Sequence, residues 1–413
     1  MASHRSLKRT IVFALAGGKG TRLGPLTTNR AKPSVPFGAK WTILDLVLWS
    51  MYRSGFNLMY VLTQYCGNAI AEHLMRCWPL QTNGYPMVRA VAPEFRHGTA
   101  QYEGTADAVH QNLHLLGLDT DNVFIVGGDH IFLMDGSQVL DFHNDRHADI
   151  TILAHEVTVA EARSFGVMQV DTESRLLGFR EKPMRPREIP GKPGYAYASM
   201  GIYLFTAEAL RRFVGDHAFR ERCIAGEAGD FDFGKHVIPE MLKRGARIFA
   251  YPFVDNVVPD QEAGAYWRDV GTIGAYFAAN MDLVGDTPLL NLYSSDWPIP
   301  TPRDDQPPLK VSLGSDIDHS LLSGGCIVTG SAVTSSILSQ RVHVRNGSRL
   351  DQCIVFRGVD IGEGCDIRRC IIEEGTRLPA GTRIGHDADE DAQRFYVDED
   401  SGIVIVTPDM LMM

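Results

Sequence analysis

No run of about eighteen consecutive apolar residues occurs in this chain, so no membrane-spanning helix and no membrane partner are expected. Residues 1–9 are basic, but no apolar stretch with a cleavage site follows them, and no secretory leader is expected either. Cysteine is scarce and odd in number. The seven are Cys66, Cys77, Cys223, Cys326, Cys353, Cys365 and Cys370, with no C-x-x-C pair among them. That pattern speaks against a disulfide framework or a zinc ribbon and for a reducing, cytoplasmic setting. Positive charge is not in excess: 40 Lys and Arg against 50 Asp and Glu leave a formal net charge of −10, so no nucleic-acid partner is expected. Several catalytic signatures are missing too. There is no G-x-S-x-G elbow, and the histidines spaced i, i+4 (His110 and His114, His143 and His147) lack the Glu of H-E-x-x-H, which disfavours a zinc hydrolase.

What is present begins with ordinary globular composition, 44% apolar and 22% charged over 413 residues, enough chain for two or three domains of roughly 150 residues. Its most informative stretch is Leu15-Ala16-Gly17-Gly18-Lys19-Gly20-Thr21-Arg22-Leu23. An apolar run at 10–15 reads as a buried strand, and three glycines in the next positions clear side chains from the turn. Backbone N–H groups can then converge on an anion. Lys19 and Arg22 add positive charge there, with Arg30 and Lys32 of Arg30-Ala31-Lys32-Pro33 downstream. The glycine spacing fits neither the dinucleotide fingerprint G-x-G-x-x-G nor the P-loop. The stretch reads as a phosphate cradle at the carboxyl end of a first strand, the alternative being a tight turn with no ligand.

Apolar periodicity predicts helices over 41–54, 68–78, 105–116, 207–214, 232–244 and 273–283, with Asp232 as an N-cap. It predicts strands over 57–63, within 84–93, and over 121–127 and 149–157, a hairpin pair at 165–170 and 176–179, and a strand at 197–205; a loop is expected at 96–104. Strands alternating with helices indicate a mostly parallel α/β sheet. Ligands of such sheets lie beyond the carboxyl ends of the strands, where the glycine loop, Gln64 and Asp129 would all fall. Asp129 follows Gly127-Gly128 and suits a Mg²⁺ shared with substrate phosphates. Its alternative role is a cap on the segment that follows.

Residues 286–310 hold Pro288, Pro298, Pro300, Pro302, Pro307 and Pro308, and read as a linker between a first domain, 1–285, and a second, 311–413. In the second, apolar residues recur six apart: Ile327 and Val333, Val344 and Leu350, Ile361 and Ile367, then Ile372, Leu378 and Ile384. Turn-formers fall between them, as in Asn346-Gly347 and Gly362-Glu363-Gly364. A hexapeptide period predicts a parallel β-helix, with an ordinary β-sandwich as the alternative. The unpaired edges at a solenoid's end make oligomerisation expected.

The order of motifs L-A-G-G-K-G-T-R-L, R-A-K-P, L-T-Q-Y, Y-E-G-T-A-D-A, G-D-H, S-F-G-V-M, E-K-P, A-S-M-G-I-Y, D-F-G-K, Y-W-R-D-V-G-T and D-A-Q-R-F-Y resembles that of the bacterial ADP-glucose pyrophosphorylases, from about Thr10 to Thr407. The resemblance implies a mostly parallel, Rossmann-like nucleotidyltransferase sheet of the GT-A kind, then a C-terminal left-handed parallel β-helix, in a homotetramer. It implies transfer of an adenylyl group from ATP to α-D-glucose 1-phosphate, with Mg²⁺, for glycogen synthesis. Gly17, Gly18, Lys19, Gly20, Thr21 and Arg22 would hold the ATP phosphates and Lys32 would neutralise their charge. Gln64, Gly104 and Thr105 would line the adenine and ribose side, and Tyr102 a nucleotide- or sugar-adjacent position. Asp129 and Asp269 would bind Mg²⁺, with Asp129 the most tied to catalysis; for Asp269 the alternative is an N-cap. Gly166, Glu181, Lys182, Ser199, Tyr203, Asp232, Phe233 and Trp267 would meet the sugar phosphate, unless Glu181 and Lys182 form a purely structural buried pair.

Asn29, Pro36, Thr42 and Glu374 stand where the family carries charged residues used for allosteric effectors, and Gln101 replaces a Trp. Weak regulation, or regulation by other effectors, is the resulting expectation. Two other functions fit the same residues: a nucleotidyltransferase for another sugar 1-phosphate such as glucosamine 1-phosphate, or a non-catalytic regulatory subunit. The second would be marked by loss of the metal carboxylates or basic loop residues, all of which are present.

Overall fold

The computed structural model describes residues 4–78, 87–93, 101–227, 229–261, 264–300 and 306–412. Of the expected elements, 84–86 of one strand, 96–100 of the loop before Gly104 and 301–305 of the linker lie outside the described residues. The chain gathers into two compact units. One comprises Met1–Gly18, Val47–Gly128 and Phe132–Pro259; the other comprises Lys19–Leu46, Asp129–Ile131 and Asp260–Met413.

The first unit is built on a sheet of nine strands, counted among the described residues. They are β1 (Thr10–Ala16), β2 (Leu58–Thr63), β3 (Met87–Val91), β4 (Asn122–Gly127), β5 (Ile150–Thr158), β6 (Gly166–Val170), β7 (Leu176–Glu181), β8 (Tyr195–Thr206) and β9 (Ile248–Pro252). The order is β7-β6-β8-β4-β1-β2-β3, with β5 also on β8 and β9 on β5. From β4 through β1 and β2 to β3 every pairing is parallel. β1 is apolar almost throughout because a central parallel strand is covered on both faces and has no solvent side to alternate toward. Its carboxyl end, with those of β2 and β4, brings three turns to one edge. Gly128 N donates to Leu15 O at 2.9 Å, and a Cβ on Gly17 would touch Gln64 Cβ at 3.4 Å.

β8 then pairs antiparallel with β4, β5 and β6. Its register against β5 shifts between Ser199 and Tyr203, where Gly201 takes a φ of 68°. Such a bulge re-aims side chains at a sheet's working edge.

Three local expectations change. The helix expected at 232–244 opens as a π turn, Phe233–Val237, and continues as an α-helix, Ile238–Lys243. Asp232 does cap it, accepting from Gly234 N and Lys235 N. The helix expected at 105–116 stops at Gln111, and a 3₁₀ turn, Leu113–Leu115, follows. A helix at His217–Ile224, capped by Asp216, and β9 were both missed. The helix buries only Phe219 and Arg220, too little for an apolar period to stand out.

The second unit carries a helix, Ile273–Met281, and a stack of parallel coils. Lys310–Val311, Ile327–Val328, His343–Val344, Asp360–Ile361 and Arg377–Leu378 lie in parallel register along one side. Asp316–Asp318, Ala332–Thr334, Arg349–Val355 and Asp366–Ile372 do so along another. Parallel stacking excludes the β-sandwich and agrees with a left-handed parallel β-helix. The interior is filled by Val328, Val333, Val344, Leu350, Ile361, Ile367, Ile372, Leu378 and Ile384, with the thiols of Cys326, Cys353, Cys365 and Cys370 among them. Ile327, expected inside, stands beside His343 on the outer face, and Val328 takes the inward place. The repeat slips by one there because this coil sets its turn one residue differently. Tyr396–Val397 closes the stack by pairing antiparallel with Val404–Val406. Between Asp286 and the first coil, the described residues form neither helix nor strand, although Leu290, Trp297 and Ile299 are buried. No helix among the described residues is long and apolar enough to cross a membrane.

One buried group makes stability depend on pH. His143, on the helix Gly136–Asp145, places Nδ1 2.8 Å from Thr151 Oγ1, while Nε2 is buried with no hydrogen-bond partner among the described residues. Burial pushes its pKa down from 6.5 to about 4. The unfolded chain takes up a proton below pH 6.5 that the folded chain refuses until pH 4. Stability is therefore full above the higher value and is lost as pH falls toward the lower, by up to about 3 kcal/mol. Thermal melts across this range should show a His143→Met variant losing less of its melting temperature on acidification than the parent.

Candidate active site

Within the second unit a buried lysine is the centre of the geometry. Lys32 opens the 3₁₀ turn Lys32–Ser34, with Pro33 fixing the backbone at its second position. Gly20 lies behind it with φ 67°, and a Cβ there would come within 2.6 Å of Lys32 Cβ. Only glycine lets the loop rest on the lysine. The Lys32 side chain is 5% exposed, and its Nζ donates to Asp129 Oδ2 at 3.0 Å and stands 3.8 Å from Asp269 Oδ1. His130 Nε2 is 3.8 Å and 3.9 Å from the same two carboxylates, and its ring meets Trp267 edge-on at 5.7 Å. A Cβ on Gly271 would fall 2.8 Å from Arg22 Nη2 and 3.0 Å from Asp269 Oδ1, so bare backbone there admits the guanidinium and the carboxylate together. Burial pushes the Asp129 carboxyl up, but His130 and Lys32 more than offset this and hold it below the usual carboxylate range.

Neither acid serves as a helix cap. Thr272 caps the helix after Asp269, and Asp135 caps the one after Asp129. Two carboxylates converging on shared cations form a hard-oxygen donor pair. Among the described residues no set of three His, Cys, Asp or Glu side chains makes an all-protein metal cage. That donor set fits Mg²⁺, which is commonly held by one or two carboxylates and completed by substrate phosphates and water. Arg30, grouped by sequence with Lys32 as a basic pair, is already engaged: its Nη2 donates to Glu373 Oε1 at 2.7 Å.

The first unit assembles a second group. Thr105 Oγ1 donates to Asp232 Oδ2 at 2.7 Å, and Asp232 Oδ1 accepts from Gly234 N at 2.9 Å. Gly104 (φ 121°) has no room for a side chain, since a Cβ would lie 2.5 Å from Phe231 O. Gln64 Oε1 accepts from Tyr102 N at 2.8 Å. Glu181 approaches from the β6–β7 hairpin. A Cβ on Gly166 would lie 2.9 Å from Glu181 Oε2, and one on Gly234 3.3 Å from it. Partial burial, and then the charge of Asp232, raises the Glu181 pKa. Tyr203 stacks near Phe233 with ring centres 5.1 Å apart, and burial raises its pKa while a hydrogen bond with Ser199 opposes the rise.

Most of the expected sugar set is thus brought together: Gly166, Glu181, Ser199, Tyr203, Asp232 and Phe233. Glu181 and Lys182 are both exposed, which does not suit a buried structural pair. The Tyr102 ring is buried, and its hydroxyl accepts from Asn112 Nδ2 at 3.0 Å, so this residue backs the loop from inside. Trp267 belongs to the second unit, against His130. The glycine turn itself is divided, Gly17 and Gly18 with the first unit and Lys19 to Arg22 with the second. Sequence reasoning missed His130, whose one signal was its place after Asp129, and Gly271, inside D-V-G-T. It also missed Arg220, which pairs with the buried Asp107 whose Oδ2 accepts from Glu103 N at 2.7 Å, just before Gly104.

The Nucleotidyl transferase family profile matches residues 11–285. Over 404 residues the chain is 45% identical to the glucose-1-phosphate adenylyltransferase of Thermus thermophilus, covering 95% of this chain and 96% of that one. The chain belongs to the glucose-1-phosphate adenylyltransferase family of nucleotidyl transferases. It is also 44% identical over 418 residues to the enzyme of that name from Anaeromyxobacter dehalogenans, covering 98% of each chain. Against that of Nitrosomonas europaea it is 41% identical over 414 residues, 98% of this chain and 94% of the relative. A GlmU-like, C-terminal hexapeptide profile matches residues 311–406. As a nucleotidyl transferase the protein is an enzyme of a family that works with a divalent metal.

Two glycines of this nucleotidyl transferase should respond differently to alanine. In Gly271→Ala the new methyl meets the far ends of two side chains, Arg22 and Asp269. Unfolding free energy should then change by no more than about 0.5 kcal/mol, while the KM for nucleotide rises several-fold. In Gly104→Ala the methyl strikes backbone at a positive φ, and stability should fall by upward of about 2 kcal/mol. Urea melts and initial-rate kinetics on both variants check the contrast.

Proposed function

We propose that this chain transfers the adenylyl group of ATP to α-D-glucose 1-phosphate, giving ADP-glucose and pyrophosphate, for glycogen or other α-glucan synthesis. The observation that carries the reading is the buried Lys32 held between Asp129 and Asp269 directly behind Gly20. A lysine so desolvated is stable only with anions around it, and the two carboxylates leave it ready to meet a phosphate chain. In this reading Gly17, Gly18, Lys19, Gly20, Thr21 and Arg22 grip the triphosphate, and Gln64, Gly104 and Thr105 line the base and ribose, with Tyr102 behind them. Asp232, Glu181, Ser199, Tyr203 and Gly166 meet the sugar hydroxyls, Phe233 and Trp267 offer apolar faces, and Lys182 takes the 1-phosphate. Asp129 and Asp269 would hold Mg²⁺, which supplies charge neutralisation on the phosphates when bound.

An oxygen of the sugar 1-phosphate attacks the α-phosphorus, the bond from that phosphorus to the bridging oxygen of the β-phosphate breaks, and pyrophosphate departs with the electron pair. Such transfer needs no covalent enzyme nucleophile; positioning and charge neutralisation by Lys32 and Arg22 lower the barrier. We assign the catalytic role to 1–285, the linker to 286–310 and the β-helix to 311–413, in a cytoplasmic homotetramer. The departures at Asn29, Pro36, Thr42 and Glu374 support weak control by effectors.

A pyrophosphate-release assay with Mg²⁺, run over a panel of nucleoside triphosphates and sugar 1-phosphates, should give its highest kcat/KM with ATP and glucose 1-phosphate. A preference for glucosamine 1-phosphate, or no turnover with any pair, would overturn the reading. Asp129→Asn should lower kcat by roughly 100-fold or more without lowering the melting temperature; near-normal turnover would remove its assigned role. Adding fructose 1,6-bisphosphate or AMP should change the rate less than about twofold, the size of a coupling well under 1 kcal/mol.

A further inference from the structure

We infer that Glu373, on the β-helix, is a positioning residue for Lys32 and acts through Arg30. The inference rests on the reading of Lys32 given above. Arg30 and Lys32 are separated by one residue, Ala31, which is fully buried and extended (φ −70°, ψ 149°). The Arg30 guanidinium donates to Glu373 Oε1 at 2.7 Å, and its Cζ stands 5.8 Å from the centre of the Phe356 ring. Both side chains of the pair are largely shielded, 21% exposed for Arg30 and 12% for Glu373. The acid itself is fixed at two points: Oε1 also accepts from Glu374 N at 2.8 Å, and Glu373 N donates to Val406 O at 2.8 Å within the coil stack. Beyond Lys32 the chain has little freedom, because Pro33 sets the turn and Gly20 lies against Lys32 Cβ. The lysine is thus held from one side by Gly20 and from the other through Arg30, and every residue in this chain of contacts belongs to the second unit.

A shielded ion pair adds little net stability, since desolvation of the two charges cancels most of their attraction. What it does supply is a fixed direction: a planar guanidinium on a carboxylate accepts a narrow range of geometries. Here that direction is passed to a lysine whose ammonium must sit within hydrogen-bond reach of Asp129. Displacement of a catalytic cation by about 1 Å can cost up to a hundredfold in rate. The β-helix therefore contributes to turnover.

The test uses the full chain with Glu373→Ala, Glu373→Gln and Arg30→Ala, the double variant Arg30→Ala/Glu373→Ala, and the parent. Glu373→Ala should lower kcat roughly tenfold, with KM for glucose 1-phosphate within about twofold of the parent and melting temperature nearly unchanged. Glu373→Gln, which keeps an acceptor of the same shape, should recover most of that loss. The double variant should be no slower than the slower single, since both remove one contact. An unchanged kcat in Glu373→Ala, or additive losses in the double variant, would overturn the inference while leaving the proposed reaction standing. A crystal structure of Glu373→Ala reads the placement directly: Lys32 Nζ should leave hydrogen-bond distance of Asp129. Finding it unmoved overturns the inference whether or not the parent makes ADP-glucose. A parent without turnover counts against the reaction alone.

Discussion

A lysine ammonium that solvent scarcely reaches is the constraint around which the second unit is arranged. Removed from water without partners, a charge such as that of Lys32 would work against the fold. Asp129 and Asp269 prevent this by standing close to its ammonium. The group is therefore built as a whole or not at all. Gly20 and Gly271 are glycines because a methyl at either would push one member of the group aside. Pro33 belongs to the same logic, since it removes a backbone choice at the residue after the lysine. The resulting cluster carries charge in fixed places before any substrate arrives, which is what phosphoryl chemistry draws on most.

The first unit solves a different problem, that of gathering polar groups from distant segments at one sheet edge. Parallel strands β1, β2 and β4 finish together, so three turns share that edge. The antiparallel β8 supplies Ser199 and Tyr203 through a bulge, and the β6–β7 hairpin supplies Glu181. One link that joins the Gly104 loop to the π turn is the hydroxyl of Thr105 on Asp232. Beneath it lies Asp107, fully buried against Arg220, which braces the same loop through Glu103 N. A π turn spends one extra residue per turn, and that irregularity sits where Asp232 and Phe233 are displayed.

Much of this was legible in the residues. Buried parallel strands announce themselves as unbroken apolar runs, and the turns after β1 and β4 are marked by paired glycines, so the edge and the acid at Asp129 could be located without coordinates. The coils were legible because a solenoid repeats its inward residues, although Ile327 shows how one shifted turn moves an apolar residue outside. Interactions between segments far apart in the chain were not legible. Nothing local to Arg30 reveals that its partner is Glu373, and Arg220 stands in a helix too polar to show a period. Glu181 beside Lys182 suggested a buried pair, yet both residues are exposed, the chain turning at Lys182 with a φ of 44°. His130 carries no signal beyond its place after Asp129 until Asp269 comes to lie beside it.

The thiols inside the coil stack have a consequence for how that stack can be watched. Burial raises the pKa of Cys326 and Cys365, pushes Cys353 up to about 12 and lifts Cys370 well above the ordinary thiol value. A thiol so protonated is inert toward alkylating reagents while its coil stays closed. Each coil holds only its immediate neighbours, so openings can be confined to part of the stack. The sulfurs are thereby internal clocks, and the rate at which each one is labelled measures how often its own stretch of the solenoid breathes.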